Sequence, residues 1–180
     1  MMEWGINLSG LDFGTVFPGV EGTNYVSPTF EELDYFHSKK MDTVRLGFMW
    51  ERLQPALYGQ FDPAYLLLID NLVNYAVGLG MRVNIEPHNY GRRDIGGVQN
   101  VIGSANCPTD AFADLWAKLV THFRGRVWAY DLINEPHDMA VAGLTGPQNW
   151  FAIAQAACYS IRAIDSTTPI LMPGYLWSSC

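Results

Sequence analysis

Short apolar runs rich in β-branched residues alternate along this chain with stretches in which apolar residues recur every three or four positions. The first pattern suits strands covered on both faces, and the second suits helices packed by one face. Strands are expected over 3–9 (EWGINLS), 43–49 (TVRLGFM), 82–88 (RVNIEPH), 128–134 (WAYDLIN) and 169–174 (PILMPG). The first helix opens on Thr29 with Glu32 three residues later, a capping box, and carries Leu33, Phe36 and Met41 on one side. A second opens on Asp62-Pro63, a cap followed by proline at the first helical position. It runs through Leu66, Ile69, Leu72 and Tyr75 until Gly78 and Gly80 end it. A long loop holding Gly91, Gly96, Gly97 and Gly103 leads to a third helix, with Phe112, Leu115, Leu119 and Phe123. The fourth carries Trp150, Ile153, Ala157, Ile161 and Ile164.

Strand and helix in regular alternation mean an α/β fold with a parallel sheet and helical crossovers. Two architectures fit: an open doubly wound sheet, or part of an eight-stranded (β/α)8 TIM-type barrel. No dinucleotide fingerprint or phosphate-binding glycine loop is present. Polar residues gather instead at the C-terminal ends of several strands: Arg45, His88 with Asn89, and Asn134 with Glu135. Catalytic groups drawn from many strand ends are a barrel's habit, so the barrel is expected. A complete one takes about 250 residues, so about the first five β/α units are expected here, as one domain over 1–180. The two outer strands would then be open edges. A fragment, closure by another chain and a rearranged sheet all remain open.

Composition narrows the partners. The chain is 49% hydrophobic and 16% charged, enough for a real core. A net charge of −7 argues against nucleic acid and anionic membranes, which need clustered Lys and Arg. The one basic pair in a loop, Arg92-Arg93, is expected to be solvated. No apolar run is long enough to span a bilayer, and the opening MMEWGINLSG has no signal-peptide pattern. Cys107, Cys158 and Cys180 have no metal-ligand spacing, and their odd number leaves a thiol unpaired. Nor do His37, His122 and His137 form a metal motif, so neither metal nor cofactor is expected.

The chemistry concentrates in YDLINEPHD (130–138), where an apolar run gives way to Asn134 and Glu135. Glycosidic cleavage needs a carboxylic acid to protonate the leaving oxygen and a second carboxylate as nucleophile or base. Glu135 suits the first role. Asn134 suits a hydrogen bond to a sugar 2-hydroxyl, and Pro136 helps end the strand. The plainer alternative is a strand-end Asn and Glu that cap a loop. Arg45, inside an apolar strand, needs a carboxylate partner or exposure; a purely structural pair with Glu135 or Glu86 is the alternative to a catalytic role. His88 taken singly reads as an ordinary satisfied histidine. Trp50 and Tyr90 read first as core or loop packing and only second as sugar platforms.

Three ordered segments, VRLGFMWERLQP (44–55), IEPHNYGR (85–92) and LINEPHD (132–138), resemble the motifs of glycoside hydrolase family 5 cellulases. GINLSG (5–10) and LMPGYLW (171–177) are consistent with this, and the resemblance covers essentially all 180 residues. It implies the N-terminal portion of a secreted, retaining endo-β-1,4-glucanase acting on β-glucan polysaccharide. The acid/base then falls on Glu135 and its neighbouring asparagine on Asn134. Arg45 would steady the nucleophile, and His88 would line the cleaving subsite. Trp177 is placed to stack a sugar, with Trp50, Tyr90, Asn89 and His137 as further substrate-side residues. The family's nucleophile, a glutamate at the end of the seventh strand, lies outside these segments. Asp131, about 13 Å from Glu135 along an extended strand, is too far to replace it; Glu86 is a weak substitute. The alternatives are a catalytically silent half-barrel that binds glucan or self-associates through open sheet edges, and part of a mannanase or other β-glycanase of the same clan.

Overall fold

A computed structural model describes residues 4–179. Five strands form one parallel sheet: β1 (Gly5–Leu8), β2 (Thr43–Phe48), β3 (Arg82–Pro87), β6 (Ala129–Asp131) and β7 (Ile170–Leu171). Between them run α1 (Phe30–Ser38), the short α2 (Trp50–Leu53), α3 (Pro63–Gly78), α4 (Thr109–Phe123) and α5 (Gly146–Arg162). Strands β4 (Arg92–Ile95) and β5 (Val98–Val101) pair with each other as an antiparallel hairpin outside the main sheet.

The spatial order β1-β2-β3-β6-β7 follows the chain without reversal. A doubly wound sheet reverses its order at a switch point, whereas a barrel adds each strand beside the last. The five-stranded sheet is therefore the wall of a β/α barrel.

Its two faces differ sharply. Val44, Leu46, Phe48, Val83, Ile85 and Tyr130 are buried toward the helices. Against them α4 brings Trp116, whose ring meets Tyr130 edge-on at 5.9 Å and whose Nε1 donates to the Leu132 carbonyl at 3.3 Å. The alternate positions, Asn7, Arg45, Asn84, Glu86 and Asp131, carry polar groups on the barrel's inner side. Register sets Asn7 beside Arg45, Arg45 beside Asn84, and Gly47 beside Glu86. Strand period thus collects the ionisable groups into one layer.

The local signals for helix starts hold. Thr29 and Glu32 close their capping box, and the Asp62 carboxylate accepts from the Tyr65 amide at 2.8 Å. Four expectations change. Met41 and Ile164 lie beyond the ends of α1 and α5. Strands over 128–134 and 169–174 shrink to three and two residues; the backbone stays beside its neighbours, with Leu132 N–H donating to Leu171 O and Asn134 N–H to Pro87 O, both at 3.0 Å. The long loop is largely the β4–β5 hairpin, turned at Gly96-Gly97, both at positive φ as such a turn requires. And Arg93 is not solvated: it is buried, donates from Nη2 to the Gln54 and Pro55 carbonyls, and lies 4.6 Å from the Trp50 ring.

Glu3, in the first expected strand, and Cys180 lie outside the described residues; Cys107 and Cys158 are both free thiols. Replacing Asp62 by Ala removes the α3 cap and is expected to lower stability by about 1 kcal/mol. Urea unfolding reads this directly, and an unchanged midpoint would contradict the cap's role.

Candidate active site

Arg45 lies at the centre of the polar layer. Its Nε donates to Asp131 Oδ2 at 2.7 Å, and Nη1 lies 3.3 Å from Glu86 Oε1 and 3.2 Å from Asn134 Oδ1. The Asp131 contact links positions 86 residues apart, so only the folded sheet creates it. Burial alone would make Arg45 easier to deprotonate. Glu86, then Asp131, outweigh that and hold its pKa above the ordinary value. Burial raises Glu86 and Asp131 above the usual carboxylate range, with Arg45 opposing both shifts.

His88 completes the cluster. Its Nδ1 is 2.6 Å from Glu86 Oε1 and 3.6 Å from Asp12 Oδ2, and its Nε2 is 3.1 Å from Asn134 Nδ2. Burial pulls the imidazole's pKa down, but the Glu86 hydrogen bond and the charges of Glu86 and Asp12 raise it overall. Asp12 sits in the segment between β1 and α1. That segment is tied down by Arg52, which donates to the carbonyls of Leu11 at 2.8 Å and Pro18 at 3.1 Å. Gly47 makes the cluster sterically feasible: a Cβ there would lie 2.7 Å from Glu86 Oε1 and 3.2 Å from both Asp12 Oδ2 and His88 Nδ1.

Glu135 follows Asn134 at the lip, with φ of 40°, a left-handed conformation uncommon for a non-glycine residue. Pro136 behind it already disfavours the helical region. The turn therefore aims the carboxylate out of the strand line, into a cleft of about 560 Å³. Asn7, Arg45, Asp131 and Asn134 line the same cleft, as do Ile170 and Met172 from the β7 side.

Beside it stands an aromatic shelf. His137 and Trp177 stack at 3.5 Å with an interplanar angle of 12°, and Tyr90 meets both edge-on at 6.2 and 6.5 Å. Trp177 is 56% exposed, so the shelf keeps an open face. Arg92 ties the loops beneath it together, donating from Nη1 to the carbonyls of Tyr90 and His137.

Of the residues expected from the sequence, Arg45, His88, Asn134, Glu135, Tyr90, His137 and Trp177 therefore converge. Two do not. Trp50 is 0% exposed, packed edge-on against Phe112 and donating from Nε1 to Gln54, so it has no face for a sugar. Asn89 is buried beneath it, accepting from the Trp50 amide at 3.0 Å and donating to Glu51 at 2.7 Å. Both serve packing. Asp131, Asp12 and Gly47 were missed. The signal for Asp131 was available: an ionisable residue in an apolar strand, opposite in character to its neighbours, while Arg45 lacked a partner. Among the described residues no group of three or more His, Cys, Asp or Glu could hold a metal ion.

A guanidinium from within β2, an imidazole just past β3, and an amide and an acid just past β6 gather on one parallel sheet and define a β/α-barrel protein with its site toward the strand ends. The model of the cellulase family, glycosyl hydrolase family 5, matches residues 8–180, and the chain belongs to that family. Endo-β-1,4-glucanase B of Aspergillus niger is 32% identical over 181 residues, covering 99% of this chain and 50% of its own length. The structure of Pseudomonas stutzeri endoglucanase Cel5A in complex with cellobiose superposes with a TM-score of 0.88 at 34% identity, covering 98% of this chain and 51% of that one. The endo-β-1,4-glucanase Xac0029 of Xanthomonas axonopodis pv. citri gives a TM-score of 0.86 at 39% identity, covering 98% and 54%. The chain spans about half the length of the curated relatives it matches.

Exchange of Arg45 for Met would leave Glu86 and Asp131 without their shared cation. Because Arg45 is 24% exposed, the expected loss at pH 7 is near the lower end of the roughly 3–5 kcal/mol typical of a broken buried pair. Both carboxyls have raised folded-state pKa values, so the stranded charges are relieved as they take up protons. Urea unfolding should show the deficit shrinking as pH falls toward 4. A deficit independent of pH would rule out the ionic origin.

Proposed function

We propose that this chain forms the acid half of a retaining endo-β-1,4-glucanase site. The carrying observation is Glu135, turned out of the strand into a polar cleft beside Asn134 and flanked by the exposed Trp177 face. Glu135 acts as general acid on the glycosidic oxygen and then as base for the attacking water. Asn134 takes a sugar hydroxyl, most usefully the 2-hydroxyl, where a hydrogen bond strengthens as positive charge develops on the ring. Arg45 and His88 hold the floor. The stack of His137 and Trp177, with Tyr90 at its edge, supports a pyranose ring through its apolar face.

Retention needs a second carboxyl about 5–5.5 Å from the first. The other acids of this layer are committed: Glu86 is 1% exposed and bonded to His88 and Arg45, and Asp131 is bonded to Arg45. The nucleophile is therefore assigned to the half of the family fold that these 180 residues do not span. The cellobiose complex of the P. stutzeri relative supports a β-glucan as substrate. A polymeric glucan does not cross a membrane, which favours action outside the cell. No helix among the described residues is long and apolar enough to span a membrane.

The test is hydrolysis of soluble mixed-linkage β-glucan by the purified chain, alone and joined to the second half of a family 5 relative. The chain alone is expected to be inactive. The joined protein should be active and lose roughly 10²–10⁴-fold in rate on Glu135→Gln, the span typical of a lost general acid. Activity that survives this substitution would remove Glu135 from the chemistry. Activity of the chain alone that Glu135→Gln abolishes would place the nucleophile within these residues.

A further inference from the structure

We propose that Asp131 and Glu86 are positioning residues: acting through Arg45 and His88, they hold the Asn134 amide in a single orientation beside Glu135. The two ends of a primary amide are nearly alike in shape, and their partners decide which way it points. Here the partners leave no choice. Arg45 Nη1, 3.2 Å from one end, can only donate, so that end is the carbonyl oxygen. The other end is then the NH2 group, which can only donate, and it faces His88 Nε2 at 3.1 Å. That nitrogen must be bare, so the ring proton resides on Nδ1, where Glu86 Oε1 accepts it at 2.6 Å.

Each carboxylate therefore fixes one side. Asp131, 2.7 Å from Arg45 Nε, fixes the guanidinium that reads the amide oxygen. Glu86 fixes the tautomer that reads the amide nitrogen. Reversing the amide would set NH2 against guanidinium, donor against donor, and oxygen against a bare nitrogen, acceptor against acceptor. Both contacts would be lost together. The consequence at the cleft is chemical: a sugar hydroxyl meeting Asn134 always finds the same arrangement of donor and acceptor.

The lock carries a proton condition. A proton on His88 Nε2 turns the acceptor into a donor facing the amide NH2, and flipping the amide does not help because Arg45 still needs the oxygen. The groups around His88 pull both ways. Asp12 from the segment after β1 and Glu86 from β3 favour the charged ring; Arg45 of β2 opposes it. Tyr90 meets the ring edge-on at 5.2 Å, and Asp131 and Glu135 stand on the β6 side. Acidification is expected to release the amide while the ring keeps its bond to Glu86. This deepens the proposed function at one residue, yet the lock rests on geometry and its test needs no catalysis.

The experiment is a pH titration of the 180-residue chain, following the His88 ring nitrogens and the Asn134 side-chain NH2 by ¹⁵N NMR, with Asn134→Asp identifying the amide signals. Above the His88 midpoint, Nδ1 should be protonated and Nε2 bare, and the two amide protons should be well separated in shift. Through the titration the amide pair should move with the same midpoint as the ring. Glu86→Gln should lower both midpoints together, by about 1–3 pH units, since it removes a charge in contact with the ring. Asp131→Asn should narrow the separation of the amide protons. An Nε2-protonated neutral ring, or amide signals that stay fixed while His88 titrates, would overturn the lock in the unmodified chain even if neither variant folds.

Discussion

A guanidinium inside a sheet is the constraint on which this structure turns. Arg45 emerges from β2 between strands that offer only carboxylates and amides at its level, and its contacts with Asp131, Glu86 and Asn134 span β2, β3, β6 and the segment after β6. An unpaired charge there would be far costlier than any single apolar contact. The ion cluster thus works as a register device: slipping β6 by one residue against β3 would turn Asp131 to the helical side and leave Arg45 stranded. The same contacts shape the cleft, because Asn134, held by Arg45, directly precedes Glu135 at its lip. Stability and site geometry rest on one set of bonds.

How much could be read in the sequence depended on distance along the chain. Thr29 with Glu32 and Asp62 with Pro63 mark helix starts through bonds spanning three residues, so the letters carry the answer. The β/α alternation and the grouping of Arg45, His88, Asn134 and Glu135 were equally legible, since period and motif are local, although Arg45 was expected at a strand end and lies within β2. The β4–β5 hairpin was not: RRDI and VQNV are short and polar, and they read as loop until the Gly96-Gly97 turn pairs them. Trp50 shows the opposite failure. An aromatic residue just after a strand looked available for stacking, but Arg93, 43 residues on, covers its ring, and both are buried. Of the partners of Arg45, Glu86 was already named from the sequence; Asp131 was passed over, although a charge in an apolar strand marked it.

The sheet is divided into an apolar outer face and a charged inner one, and the two tolerate change differently. The outer face is satisfied by α3, α4 and α5 through side chains that could be exchanged for others of similar volume. The inner face cannot be exchanged piecemeal. Gly47 leaves the room that Glu86, Asp12 and His88 occupy, and Arg52 anchors the segment that delivers Asp12. Glu135 needs its left-handed turn, and Trp177 needs His137 beneath it. These are separate devices serving one cleft.

The most direct measurement is a crystal structure of the chain soaked with a cello-oligosaccharide. If the site is the acid half of a glucanase, one glucose ring lies against Trp177, a hydroxyl of a neighbouring ring meets the Asn134 amide, and the Glu135 carboxyl faces the linking oxygen. Sugar bound away from this cleft, or bound in it with Glu135 turned from the glycosidic oxygen, would contradict the assignment.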